Sequence, residues 1–342
     1  MSSKVTLTEY FQAVDRRLLR EGLLPTAGFR MKVCEELIDL WFPTQELADA
    51  CRSGLEAFVS EDAGAPDGEF FYWYDRCDAY LPEGEAEHSS VWKSEDATGS
   101  LKIGTDDDSL VGCDHVRRRY YFARPKPEKD PYLASRHMMV NAFARWAKDT
   151  DKVLLHAAAV GVGGTGVLVA GRGGVGKSTF AISCLADGME FVSDDYTLIT
   201  ASGALLAMPL YSIVALRPDM CGTLPGFEHP LLEEDGSYRG GKPQFQVPKE
   251  RFSSRLEIKA MIIPKVANEA EPSIRKVAPG NVMAQLIHST ITQIEARRDM
   301  ELVRRMASRL SQLPVYEMSM STDLMKNPAF LRSFIEKEIK NV

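Results

Sequence analysis

No CxxC pair occurs among the six cysteines, and Cys34, Cys51, Cys77, Cys113, Cys184 and Cys221 lie far apart. Such spacing offers neither a disulfide frame nor a paired zinc site, and it predicts reduced, mostly buried thiols in a cytoplasmic protein. Positive charge is not in excess either. Lys and Arg number 41 against 48 Asp and Glu, and the net charge of −7 is spread along the chain. That balance argues against a non-specific nucleic-acid partner. The first residues, MSSKVTLTEYFQAVDRRLL, contain no apolar h-region, so no signal peptide is expected. Residues 153–171 are all uncharged, which raises the question of a membrane span. Five glycines and His156 within them fit two buried strands around a turn better, and no membrane partner is expected. The NKxD and LSGGQ patterns are absent, which disfavours a G protein or a transporter ATPase.

A chain of 342 residues exceeds what one core usually supports, so two domains are expected. The Pro- and charge-rich run ARPKPEKDP (123–131) is the candidate linker, dividing the chain into 1–125 and 126–342. In the first part, Leu7, Phe11, Val14 and Leu18 recur at helical spacing, with Thr6 or Thr8 available as a cap. Strand-like segments follow at Phe29–Val33 and Leu37–Phe42, then a helix from Pro43-Thr44 to about Phe58. Short runs from Glu69 to Pro125 suit a small, largely antiparallel sheet, giving an α+β domain assigned to substrate recognition or regulation. Cys113-Asp114-His115 has no second ligand pair at zinc spacing and reads as structural. Arg117–Arg119 read as a solvated strand face, and the aromatic stripe Phe70–Tyr74 as core. Residues 132–148 read as a helix leading into the second domain.

The second part carries the chemistry. VLVAGRGGVGKS (167–178) is an apolar strand followed by Gly171, Gly176, Lys177 and Ser178 in GxxxxGK(S/T) spacing, and KSTFAISCLA supplies the following helix. Glycines let consecutive backbone N–H groups turn inward around a phosphate, and a helix N-terminus adds partial positive charge. Gly171, Arg172, Gly173, Gly174, Val175, Gly176, Lys177, Ser178 and Thr179 are therefore the candidate nucleotide-binding residues. Lys177 can reach the β- and γ-phosphates, and the Ser178 hydroxyl can ligate Mg²⁺.

Two neighbouring segments point to the same place. VLLHAAAV (153–160) and GVLVA (166–170) flank GVGGT and read as an antiparallel hairpin. A turn centred between Gly163 and Gly164 puts His156 opposite Gly171. After the helix, EFVSDD (190–195) reads as a strand parallel to Val167–Ala170, with Asp194 and Asp195 at its carboxyl end beside the loop. Strand alternation points the two carboxylates to opposite sides, so one can hold Mg²⁺ and the other can take a proton from an attacking hydroxyl.

The run His156-Ala-Ala-Ala-Val, then GRGGVGKST, then FVSDD resembles the HPr kinase/phosphorylase family, which has the phosphoenolpyruvate-carboxykinase-like P-loop fold. The resemblance covers about residues 153–200 well and the rest of 130–342 in outline. It implies an α/β kinase domain in which Asp195 is the base, His156 orients it, Lys177 meets the phosphates and Ser178 the metal. It also implies ATP or another nucleoside triphosphate, Mg²⁺, a serine-type hydroxyl acceptor on a peptide, protein or small molecule, and homo-oligomers. Thr179 stands where HPr kinases have an acidic residue, and their Glu-Ile-Arg-Gly-type signature is absent. The chain looks more like the HPr-kinase-related kinases of biosynthetic clusters. A second reading is a nucleotide-sensing regulatory protein without turnover.

Downstream, the glycine-rich segment 221–250 carries Arg239 and Lys242, either of which can act as a cation on the transferring group or be a solvated loop charge. MPLYSIVALRPD (208–219), LEIKAMIIPKV (256–266) and LPVYEMSM (313–320) read as strands. Residues 281–311 and Pro328–Ile339 read as helices, with Arg297, Arg298, Arg304 and Arg305 on a solvated face.

Overall fold

The structure, a computed structural model, describes residues 6–81, 91–104, 109–128, 133, 136–233, 235–294 and 300–340. Residues 129–131 of the expected linker and the expected solvated pair Arg297 and Arg298 lie outside them. The chain forms two compact units. One comprises the residues up to Ser53 with Phe58–Asp149, and the other Gly54–Ala57 with Thr150–Val342.

The first unit opens with α1 (Leu7–Glu21), whose buried face is Leu7, Phe11, Val14 and Leu18. Thr6 caps it in both directions. Its hydroxyl accepts from Glu9 N, and the Glu9 carboxylate accepts from Thr6 N at 2.8 Å. Gly22, at φ 67°, ends the helix in the left-handed conformation that glycine adopts without strain. Thr6→Ala removes one side of this box and is expected to cost about 1 kcal/mol, read as a lower urea midpoint for the first unit.

There follow β1 (Ala27–Val33), β2 (Glu36–Phe42), α2 (Gln45–Leu55), β3 (Gly68–Tyr74), β4 (Val91–Asp96), β5 (Gly99–Gly104), β6 (Ser109–Asp114), β7 (Arg119–Arg124) and α3 (Val140–Asp149). The strands make one seven-stranded sheet in the order β1-β2-β3-β7-β6-β5-β4. It is mixed, because β3 runs parallel to both β2 and β7. Phe70, Tyr72 and Trp73 of the aromatic stripe are fully buried. Phe11 stacks on Tyr121 at 4.6 Å, and Gly112 leaves the room, since a Cβ there would lie 2.5 Å from the Phe11 ring.

Two expectations change here. The boundary expected near residue 125 falls after Asp149, because α3 belongs to the first core: Phe143 packs on Phe70 at 4.9 Å, and Trp146 Nε1 donates to Glu36. Arg117, Arg118 and Arg119 are not a solvated face but half-buried and paired. Arg117 and Arg119 share Asp15 at 2.6 and 2.9 Å, Arg117 also holds buried Asp114, and Arg118 holds Glu36.

The second unit contains β8 (Lys152–His156), β9 (Ala158–Val162), β10 (Thr165–Val169), α4 (Lys177–Ala186), β11 (Glu190–Ser193), β12 (Tyr196–Thr200), β13 (Leu206–Met208), β14 (Ile213–Ala215), β15 (Gln244–Gln246), β16 (Leu256–Glu269), β17 (Ser273–Val277), α5 (Gly280–Gln293), α6 (Met300–Leu310), β18 (Val315–Ser321) and α7 (Lys326–Phe334). Its main sheet runs β11-β9-β10-β16-β13-β12-β8, with β18 alongside β16 and β17 beyond it. The β10–β16 and β16–β18 pairs are parallel, which makes the centre of the sheet α/β in character. Val160, Val167, Val169, Ala260 and Ile262 from the sheet meet Phe180, Ala181 and Leu185 of α4 and Leu331 of α7 in one core. A short ladder of β14 with β15 gives the expected loop at 221–250 an ordered edge.

The hairpin β9–β10 has the register that a Gly163-Gly164 turn predicts, with Val162 opposite Thr165 and Ala158 opposite Val169. Its first strand, however, is interrupted at Ala157. Ser193 and Thr197, both buried, send their hydroxyls to the Ala157 carbonyl at 3.3 and 2.7 Å, and the strand turns there. His156 consequently pairs with Tyr196 of β12 and not with Gly171. β11 pairs with the other edge of β9, antiparallel, so it runs parallel to β10 as expected, with β9 between them.

Candidate functional site

β10 ends in a fully buried run, and the chain then crosses from Ala170 through Gly171–Gly176 into α4. Gly171 has φ 140°, and a Cβ on it would lie 2.9 Å from Val175 Cγ2. Gly176 caps the helix at φ 97°, and Phe180 N donates to its carbonyl at 2.9 Å. The first-turn amides of Lys177, Ser178 and Thr179 precede any intrahelical acceptor, which leaves a group of N–H donors at the positive end of the helix. Arg172, Gly173 and Gly174 are exposed on the rim.

Lys177 is 6% exposed, and its ammonium donates to the Gly171 carbonyl at 3.0 Å. Burial holds its pKa below the ordinary lysine value, opposed by the charges of Asp195 and Asp194. The lysine thus sits in the field of both carboxylates. Ser178 Oγ donates to the Asp194 carbonyl at 3.3 Å. Asp194 itself is buried, and its carboxylate accepts from Ala215 N at 3.5 Å.

Asp194 and Asp195 occupy the break between β11 and β12. The pairs Ser193 with Ala159 and Tyr196 with His156 keep one register on either side, so the break has fixed ends. Across it, His156 Nε2 lies 2.8 Å from Asp195 Oδ1. The imidazole is held by its own backbone N–H, which donates to Thr290 Oγ1 at 3.1 Å, and by the Tyr196 ring at 5.6 Å. His156 Nδ1 is buried with no hydrogen-bond partner. A carboxylate only accepts, so the contact requires a proton on Nε2. The contact is one in which His156 Nε2–H donates to Asp195 Oδ1.

Lys177, Ser178, Asp194, Asp195 and His156 thus come together from three parts of the chain. Arg239 and Lys242 are carried on a different element, a short helical turn at Arg239–Gly241 and the exposed residue after it, and the Arg239 carbonyl is tied to Gln244. Sequence reasoning missed Ser193, Thr197 and Thr290, which set the bend and hold His156. Their only signal was hydroxyls inside apolar strand and helix patterns. Ser178, Asp194 and Asp195 offer oxygen donors alone, a set that suits Mg²⁺ and not a soft metal.

The fold is mixed α/β, and among the described residues it has seven α-helices, none long and apolar enough to cross a membrane. No family model and no curated protein matches the chain. Among solved structures it is similar to the HPr(Ser) kinase/phosphatase from Coxiella burnetii, with 13% identity and a TM-score of 0.29 over 55% of this chain and 97% of that one.

Proposed function

We propose that the second unit is a nucleotide-dependent phosphotransferase of the serine-kinase type, moving the γ-phosphoryl group of ATP or another nucleoside triphosphate to a hydroxyl of a peptide, protein or small molecule. The observation that carries this reading is the 2.8 Å His156–Asp195 contact within the electrostatic reach of Lys177, at the mouth of a strand–loop–helix turn. Gly171 to Thr179 receive the phosphates through backbone amides, and Lys177 leaves the Gly171 carbonyl for them. Asp195 takes the proton from the acceptor hydroxyl as its oxygen attacks the γ-phosphorus and the bond to the departing diphosphate breaks. His156 keeps Asp195 oriented and ionised by donating from Nε2. Ser178, Asp194 and Asp195 would hold Mg²⁺, which supplies neutralisation of phosphate charge. Arg239 and Lys242, on the glycine-rich loop, are the candidate cations that would offset charge on the transferring phosphoryl group.

The test incubates the full chain with Mg²⁺, ATP and a mixture of serine- and threonine-containing peptides and small alcohols, followed by mass spectrometry. Phosphate adducts on a hydroxyl, with matching ADP release, are the expected result. ATP bound without turnover to any acceptor or to water would leave the regulatory reading in place. No binding of ATP would remove both.

A further inference from the structure

The first unit brings together three metal-ligating side chains that are far apart in sequence. Cys113 is the penultimate residue of β6, His115 lies in the turn to β7, and Asp149 is the last residue of α3. Their donor atoms form a small triangle: Cys113 Sγ to His115 Nδ1 is 3.2 Å, Sγ to Asp149 Oδ2 is 3.5 Å, and Nδ1 to Oδ2 is 3.0 Å. A tetrahedral zinc ion with ordinary Zn–S, Zn–N and Zn–O bonds has ligand–ligand edges of about 3.3–3.6 Å, so small side-chain adjustments would admit one. Among the described residues, this is the one group of His, Cys and acidic side chains whose ligand atoms converge in this way.

We propose that Cys113, His115 and Asp149 bind a zinc-class divalent cation with three protein ligands and a water in the fourth position. The ligand set is the thiolate, imidazole and carboxylate combination that zinc accepts and that Mg²⁺ does not favour. The water reaches it from the His115 side, where that side chain is 27% exposed. Tyr120 Oη donates to Asp149 Oδ2 at 2.7 Å and fixes the carboxylate as an outer-shell partner. Asp149 also sits at the negative end of a helix, where a carboxylate is disfavoured and a cation offsets the unfavourable charge. Arg145, one turn earlier, favours the Cys113 thiolate.

Binding is balanced by one released proton. Burial and the Asp149 charge keep the Cys113 thiol protonated in the empty site, and the cation displaces that proton. The His115 ring proton moves from Nδ1 to Nε2 with no net change. The cation would tie the end of α3 to β6, at the end of the first unit.

Cobalt substitution of the purified full chain tests this, with elemental analysis of the zinc-loaded protein. Expected are about one zinc per chain after dialysis and a near-ultraviolet thiolate-to-cobalt band that Cys113→Ser abolishes. His115→Gln and Asp149→Asn should each weaken zinc binding by more than about 100-fold, beyond the loss an outer-shell partner causes. A folded wild-type chain with no such band, or equal zinc in Cys113→Ser, would overturn the proposal. Should Cys113→Ser fail to fold, the wild-type band and the His115→Gln affinity decide.

Discussion

Asp195→Asn is expected to lower phosphoryl transfer by about 10²–10⁴-fold while nucleotide still binds. The change keeps the size of the side chain, and the amide oxygen can still accept from His156 Nε2, so the β8–β12 contact survives. It removes the one property a base needs, the capacity to take the hydroxyl proton at neutral pH. It also removes both a negative charge that acts on Lys177 and one of the three proposed Mg²⁺ ligands, effects of opposite sign, so ATP should still bind through the loop amides, Lys177, Ser178 and Asp194. Calorimetry for binding and mass spectrometry for product separate the two effects. Full transfer by the variant would contradict the assigned role, and loss of binding together with transfer would mark Asp195 as structural.

Lys177→Met should have the opposite profile. Burial makes the ammonium costly in the nucleotide-free chain, which is why its pKa lies low. A methionine of similar length avoids that cost, so the thermal midpoint of the nucleotide-free chain should rise. ATP affinity should fall by about 10- to 150-fold, the usual worth of hydrogen bonds to a charged group, and the midpoint increase caused by ATP should vanish. The pH dependence follows in sign. The charged form is the one phosphates favour, so wild-type affinity is greatest below the pKa of Lys177 in the free chain. It declines as pH rises through that value, by up to about tenfold per unit, with proton uptake on binding. Calorimetry in buffers of different ionisation enthalpy reads that uptake, and the methionine variant should lack it. An unchanged ATP affinity in Lys177→Met would contradict the loop's assigned role.

Local patterns were legible in the sequence, and long-range ones were not. The helix at Leu7–Glu21 and its Thr6 cap follow from spacing and one hydroxyl. The strand, glycine turn and helix at 165–186 follow from composition, as does the β9–β10 register, because Gly163 and Gly164 both adopt positive φ. The break at Ala157 was hidden, since VLLH and AAAV are both apolar and nothing in them marks where one ladder ends. Its cause lies some forty residues away in Ser193 and Thr197. The pairing of His156 with Asp195 therefore arises by a different route from the expected proximity to Gly171. α3 belongs to the first unit through contacts that its own spacing does not reveal, Phe143 on Phe70 and Trp146 on Glu36. The neighbourhood of Cys113 and Asp149 spans 36 positions and leaves no spacing signature.

The interruption at Asp194-Asp195 has a consequence for how this chain can vary. Ser193 pairs with Ala159 and Tyr196 with His156 in one frame, so removing or adding a single residue between them would disturb the pairing that flanks the two aspartates. The exposed turn at residues 235–237 on the downstream loop, by contrast, lies outside the regular strands and can lengthen or shorten at little energetic cost. Directed evolution for new acceptors would accordingly recover indels in that loop and only substitutions around the two aspartates.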